Sequence, residues 1–265
     1  QGDRLVYVGD EAGVEAYIGA NTKVVDLGGK TVIPGLIEGH MHINGLGEDM
    51  LVIDAFWKPK DVILAAVKAE AEKAQPEWIQ GSGWLNTVWE NTDYPTKEDL
   101  DAVAPNNPVY LSRADGHMCW VNSMAFELAG ITKDTPNPQG GEYLKTDSGE
   151  LLGCVTDTAM YPISGLIPDF TIQQKKDALL MAQEQLFSYG LTSAMNAGTS
   201  VEYLNEVYRP LYESGQLKLR SYLLMSLSST EGEQADYLRT TAPQGGLYNN
   251  HMDVRAVKLF SDGSL

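Results

Sequence analysis

The chain has 265 residues, 43% hydrophobic and 21% charged, a balance that suits a folded globular protein with an ample core. Its formal charge of −17 argues against nucleic acid or an anionic membrane as partner, because both draw basic surfaces. The only cysteines, Cys119 and Cys154, are too few for a disulfide framework or a cysteine-rich zinc site and are expected as two buried thiols; no run of about 18 apolar residues offers a membrane span.

Residues 1–30 read as short strands and turns. Arg4-Leu5-Val6-Tyr7-Val8-Gly9 alternates, and Lys23-Val24-Val25-Asp26-Leu27 runs into the turn signal Gly28-Gly29. Thr31-Val32-Ile33 then leads through Pro34-Gly35 into an apolar run, expected to be a buried strand, that ends in His40-Met41-His42. Residues i and i+2 of a strand share a face. Two imidazoles so placed can share one ion, since neutral imidazole binds Zn, Fe, Ni or Mn. Four histidines in the whole chain (His40, His42, His117, His251) make the pairing unlike a random placement, although a strand end with two surface histidines reads equally from this motif alone.

Residues 44–160 are mixed. Helical spacing of Val62, Ile63, Ala66, Val67 and Ala74 predicts a helix over 60–75, stopped by Pro76. A strand over 78–84 ends in a glycine-rich turn at Trp84. Thr96 is placed to cap a helix with Asp99 in a capping-box position. A strand over 108–113, a helix over 121–129 closed by Gly130, and a hairpin over 141–155 turning at Asp147-Ser148-Gly149 follow.

From residue 171 the pattern becomes regular: helix 172–189, strand 191–196, helix 201–214, strand 217–225, helix 231–241, strand 254–260. Strands alternating with helices imply parallel units, and with the histidine strand first these are strands one to four of a series. Four strands are half of a (β/α)8 barrel, so either a smaller open sheet or a piece of a larger protein is expected; barrel active sites lie at the C-terminal ends of the strands. His40 and His42 end the first strand, Asn196 the second, and Lys258 sits in an otherwise apolar fourth strand. A buried ammonium is costly, so Lys258 either reaches outward or pairs with an acid, or reacts with CO2 to give an anionic carbamate able to bridge two metals.

In order along the chain stand Asp26-Leu27-Gly28-Gly29-Lys30-Thr31-Val32-Ile33-Pro34-Gly35 with the histidine pair, Gly81-Ser82-Gly83-Trp84 and Pro95-Thr96-Lys97-Glu98-Asp99-Leu100-Asp101. Arg113-Ala114-Asp115-Gly116-His117, Val121-Asn122-Ser123, Leu128-Ala129-Gly130-Ile131, Leu191-Thr192-Ser193 and the stretch from Val257 to Leu265 follow them. This set resembles the amidohydrolase superfamily, in its amidohydrolase-3, YtcJ-like branch of metal-dependent hydrolases. The resemblance implies a (β/α)8 barrel of which the N-terminal half is present, a small β-sandwich built from both chain ends, and a large α+β insertion after strand one. On that frame residues 1–30 belong to the sandwich, 31–43 to the first barrel strand, 44–160 to the insertion and 161–265 to strands two to four.

Members of the family hydrolyse non-peptide C–N bonds of amides and cyclic amides with one or two divalent ions, zinc being the expected metal. By position His40 and His42 match first-strand ligands, and Lys258 matches the carboxylated lysine that bridges the ions. Asp115-Gly116-His117 resembles the insertion loop that reaches the substrate, with Trp84 in the same substrate-binding set; the plain alternatives are a turn histidine for His117 and packing for Trp84, Trp89 and Trp120. Glu38 stands as a hydrogen-bond support for the histidines or a surface acid. Two further histidine ligands and the general-base aspartate are expected beyond Leu265, so no catalytic residue is assigned within the chain, which is expected to be a fragment inactive alone. A small-molecule substrate, a homo-oligomer and a cytoplasmic location complete the expectation. The alternatives are a non-catalytic regulatory relative and one half of a split enzyme.

Overall fold

Two sheets take up every strand of the computed structural model, which describes residues 4–73 and 77–259. The chain divides into two units, one up to Gly35 and one from Leu36 onward. In the first, Asp10 caps a helical turn, Glu11–Val14, by accepting the Gly13 N–H at 2.9 Å, and a 3-10 turn, Glu15–Tyr17, follows. The strands expected over 4–9, 23–27 and 31–33 do not form, and Leu5, Val8, Val24 and Val32 are exposed. An alternating pattern offers a face, but a strand also needs a neighbour for its N–H and C=O groups, and none is supplied within residues 4–35. The described residues therefore show no sandwich layer.

The second unit begins with β1, Leu36–Met41. Six strands come next: β2 (Ile53–Asp54), β3 (Ile79–Trp84), β4 (Val109–Arg113), β5 (Met118–Val121), β6 (Gly141–Lys145) and β7 (Leu151–Asp157). They form a sheet of their own in the order β2-β3-β4-β5-β7-β6, parallel through β4 and antiparallel beyond. The last four strands are β8 (Leu191–Thr199), β9 (Arg220–Ser226), β10 (Gln244–Gly246) and β11 (Met252–Lys258). They rejoin β1 in the order β1-β8-β9-β11-β10, with β1, β8, β9 and β11 all parallel. The histidine strand is thus first, and Lys258 lies in the fourth of a parallel series. The sheet is open, with β1 and β10 at its edges.

Where elements differ from the sequence reading, a particular side chain decides. The helix expected over 121–129 begins at Ser123, because Val121 belongs to β5. Asn122 ends the strand: its Oδ1 accepts the N–H groups of both Ala125 and Val109. The helix expected over 201–214 contains a π segment, Leu204–Tyr208, just ahead of Pro210. Proline lacks the N–H that would continue the regular ladder, and a wider turn absorbs the misfit. β1 is not buried as expected. Among the described residues it pairs only with β8, so Ile37 stays 74% exposed and Met41 alone of the strand packs on the core. The capping box at Thr96 and the hairpin turn at Gly149 form as the residues predict.

The helix Ile172–Ser188 carries Leu179, Ala182 and Leu186 into a core shared with Leu223 and Met225 of β9. It crosses the helix Ile43–Asp49 at Gly47, where an added Cβ would lie 2.4 Å from the Ala178 carbonyl oxygen. That crossing leaves no room for a methyl group. Gly47→Ala should therefore cost roughly 1–3 kcal/mol, as overpacking does, read as a lower urea midpoint; an unchanged midpoint would show that the two helices part without cost.

Candidate metal centre

Parallel pairing puts the C-terminal ends of β1, β8, β9 and β11 on one edge of the sheet, the edge where α/β folds hold their ligands. β1 delivers His40, and His42 follows the strand's last residue as the cap position of the helix Ile43–Asp49. Both are exposed. Their ring centroids are 6.1 Å apart and the rings are nearly perpendicular, at 86°. An ion sits about 2 Å from each ligating imidazole nitrogen, and this separation lets one ion be shared. The Glu38 carboxylate accepts the His40 backbone N–H at 3.0 Å, so it fixes the strand rather than a ring. Among the described residues no group of three or more His, Cys, Asp or Glu is close enough to hold a metal. The pair fits two coordination positions of a borderline cation, and other donors must fill the rest.

Lys258 is the last residue of β11 and stands in register with Ser226 of β9. Leu223 and Met225 face the helices, so alternation puts Ser226, and with it half-buried Lys258, on the opposite face. At about 4.8 Å per strand, the three steps from β1 to β11 separate Lys258 from the histidine strand by roughly 14 Å along a flat sheet. The structure thus places Lys258 at the same edge as the histidines, three strands along the sheet. The stretch from Ser261 to Leu265 lies outside the described residues. His251 is at the other end of β11, its Nδ1 bonded to the Tyr248 carbonyl at 2.9 Å.

Sequence reasoning noted Asn196 only as a strand end. In the structure it is fully buried, and its Oδ1 accepts the N–H of Ile43, the residue after His42, at 2.8 Å. Its Nδ2 donates to Thr199 Oγ1 at 2.5 Å and to the Gly198 carbonyl at 2.9 Å. Asn44 Oδ1 receives the Tyr208 hydroxyl at 2.8 Å. A polar side chain in the middle of an αβ core is the signal that marks this network in the sequence, but the residues it joins are distant, 153 apart for Asn196 and Ile43 and 164 for Asn44 and Tyr208. Farther along the same helix, burial pushes the Glu48 carboxyl above its ordinary range, against the pull of Lys175.

The insertion sheet presents a second polar group between β4 and β7. Arg113 pairs with Asp115, whose other oxygen accepts the His117 N–H at 3.0 Å. The His117 ring nitrogen Nδ1 lies 2.8 Å from Asp157 Oδ1, and both side chains are about half exposed. Asp157 was not singled out by the sequence; it holds a left-handed φ of 45° that non-glycine residues seldom adopt. Trp84, placed with His117 and Asp115 in the substrate-binding set, is instead a packing residue. It has no exposed surface, its Nε1 donates to the Leu111 carbonyl, and it stacks on Trp89 with Trp120 at its edge.

The profile of the amidohydrolase family (Amidohydro_3) matches residues 23–265. The chain belongs to the amidohydrolase family. It is 33% identical to the putative amidohydrolase YtcJ of Bacillus subtilis, over all of this chain and 52% of that protein. It is also 33% identical over 60% of its length to the N-substituted formamide deformylase of Arthrobacter pascens, covering 30% of that protein. An uncharacterized metal-dependent hydrolase from Pyrococcus furiosus superposes with a TM-score of 0.67 at 25% identity, over all of this chain and 52% of the other. The chain spans about half the length of the curated relatives it matches most fully. No described helix is long and apolar enough to cross a membrane.

Neither thiol of this amidohydrolase-family chain is suited to nucleophilic or metal chemistry. Both cysteines are free and buried; burial pushes the Cys154 thiol up to about 12 and raises Cys119 further. Native protein at pH 8 should leave an aromatic disulfide reagent unreacted and titrate two thiols after denaturation. Rapid reaction in the native state would contradict the burial.

Proposed function

We propose that the chain supplies the first half of the active-site edge in a metal-dependent hydrolase of C–N bonds in amides or cyclic amides. The observation that carries this reading is the pair of accessible imidazoles, His40 and His42, at the C-terminal end of the first parallel strand. Family membership supports it, as does the relative whose name gives an N-substituted formamide as its substrate. His40 and His42 would hold the ion, zinc being one that imidazole nitrogen suits, and one or two ions fit the reading. A bound divalent cation would supply a water of lowered pKa and polarise the scissile carbonyl.

The chain's own residues then have separate tasks. Glu38 fixes the backbone of His40. Lys258, standing at the same edge, would enter as a carbamate with two oxygens to offer, or as a plain ammonium beside the substrate carbonyl. Asp157 orients the His117 ring so that its remaining nitrogen can meet a substrate polar atom, and Arg113 holds Asp115 in the same loop. The substrate is a small molecule.

Metal analysis of purified protein tests the centre. Replacing His40 and His42 together by alanine should remove bound zinc, and unchanged metal content would refute the ligand assignment. The loop is tested separately. Asp157→Ala releases the His117 ring, and in the complete enzyme loss of one hydrogen bond of this kind, about 1.5 kcal/mol, should raise KM about tenfold with the metal content intact. An unchanged KM would remove His117 from substrate binding.

A further inference from the structure

We infer that Asn196 is a positioning residue for the His42 ligand, acting through the peptide that joins His42 to the helix behind it. The inference rests on the reading of His40 and His42 as metal ligands. The first N–H groups of any helix have no partner within it, and His42, at the cap position of the helix Ile43–Asp49, gives none from its side chain. Asn196 supplies the acceptor from another strand: its Oδ1 takes the Ile43 N–H at 2.8 Å. The amide cannot swing away, because its Nδ2 is held by Thr199 Oγ1 and the Gly198 carbonyl. The next residue of the helix, Asn44, is tied in turn to the buried Tyr208 hydroxyl.

The two histidines are therefore fixed by different means. Glu38 holds His40 from within its own strand, while His42 has already left the strand, at φ −110° and ψ 84°. Without the clamp on Ile43 its ring would follow whatever the helix does. The surroundings make the choice of a polar residue informative. Asn196 stands in register with Leu223 and bonds Ile43, both members of the apolar core of the parallel sheet, where an apolar side chain would carry no desolvation cost. A buried polar group with every bond satisfied fixes one arrangement of its neighbours, and the neighbour here is the ligand-bearing turn.

The experiment compares metal affinity with fold stability in purified protein, using cobalt(II) as the probe, with chelator competition for affinity and the visible absorption band for coordination geometry. Asn196→Leu should weaken cobalt binding about tenfold or more and shift the band, in line with the effect of removing outer supports of ligands. Asn196→Asp, which keeps an acceptor for Ile43 but gives up the Nδ2 anchors to Thr199 and the Gly198 carbonyl, should recover part of the affinity. Leu186→Ala, a core variant in the helix Ile172–Ser188, should lower the melting temperature with affinity unchanged. If Asn196→Leu does not fold, Asn196→Ser, too short to reach Ile43, takes its place. Reduced stability with wild-type affinity and an unshifted band would overturn the inference. Should His42→Ala itself keep full cobalt affinity, the ligand reading fails first and the inference falls with it.

Discussion

Parallel pairing of β1, β8, β9 and β11 is the constraint on which everything else in this unit depends. Parallel neighbours cannot be joined by a tight turn; each join must carry the chain back along the whole sheet. Three consequences follow. The returns become helices that cover one face, the strand ends that bear His40, Asn196 and Lys258 gather at one edge, and the first return is long enough to hold a second sheet. β2 to β7 occupy that return without breaking the pairing of β1 with β8, whose registers join Leu36 to Leu191 and Met41 to Asn196.

The two sheets set their polar groups in different materials. The helix side is an apolar core of Leu, Val, Met and Ala, into which a few amides and tyrosine hydroxyls are set with their bonds made. The loop joining β4 to β5 is polar and accessible, with Arg113, Asp115, His117 and Asp157 holding one another. A rigid, buried support for ligands and an open, charged surface for recognition are different physical requirements, and the chain meets them in different sheets.

Much of this could be read from the sequence, and the reason is local. The capping box of Thr96 and Asp99, the turn at Gly149, and the alternation of helices and strands after residue 171 each depend on neighbours within about one helical turn or one hairpin. The histidine pair was legible for the same reason. What could not be read depends on distant partners. Asn196 becomes a clamp only because the fold brings Ile43 to it, and Asp157 meets His117 only because β5 pairs with β7. Trp84 looked like a loop-end aromatic; that Trp89 and Trp120 close over it is a fact of the sheet. The strands expected before residue 34 failed on the same ground, since alternation predicts a face but not the partner that completes it.

The tryptophans have a consequence for optical work on this protein. All five, Trp57, Trp78, Trp84, Trp89 and Trp120, fall between residues 57 and 120, within or beside the insertion sheet, and the parallel sheet has none. The stack of Trp84 on Trp89 against Trp120, with the Lys60 ammonium 5.9 Å from the Trp120 ring, gives that sheet its own emission. The parallel sheet is lit instead by tyrosines such as Tyr208 and Tyr212 in its core. Tryptophan emission, excited where tyrosine does not absorb, therefore reports on the insertion sheet alone and follows its melting apart from that of the parallel sheet.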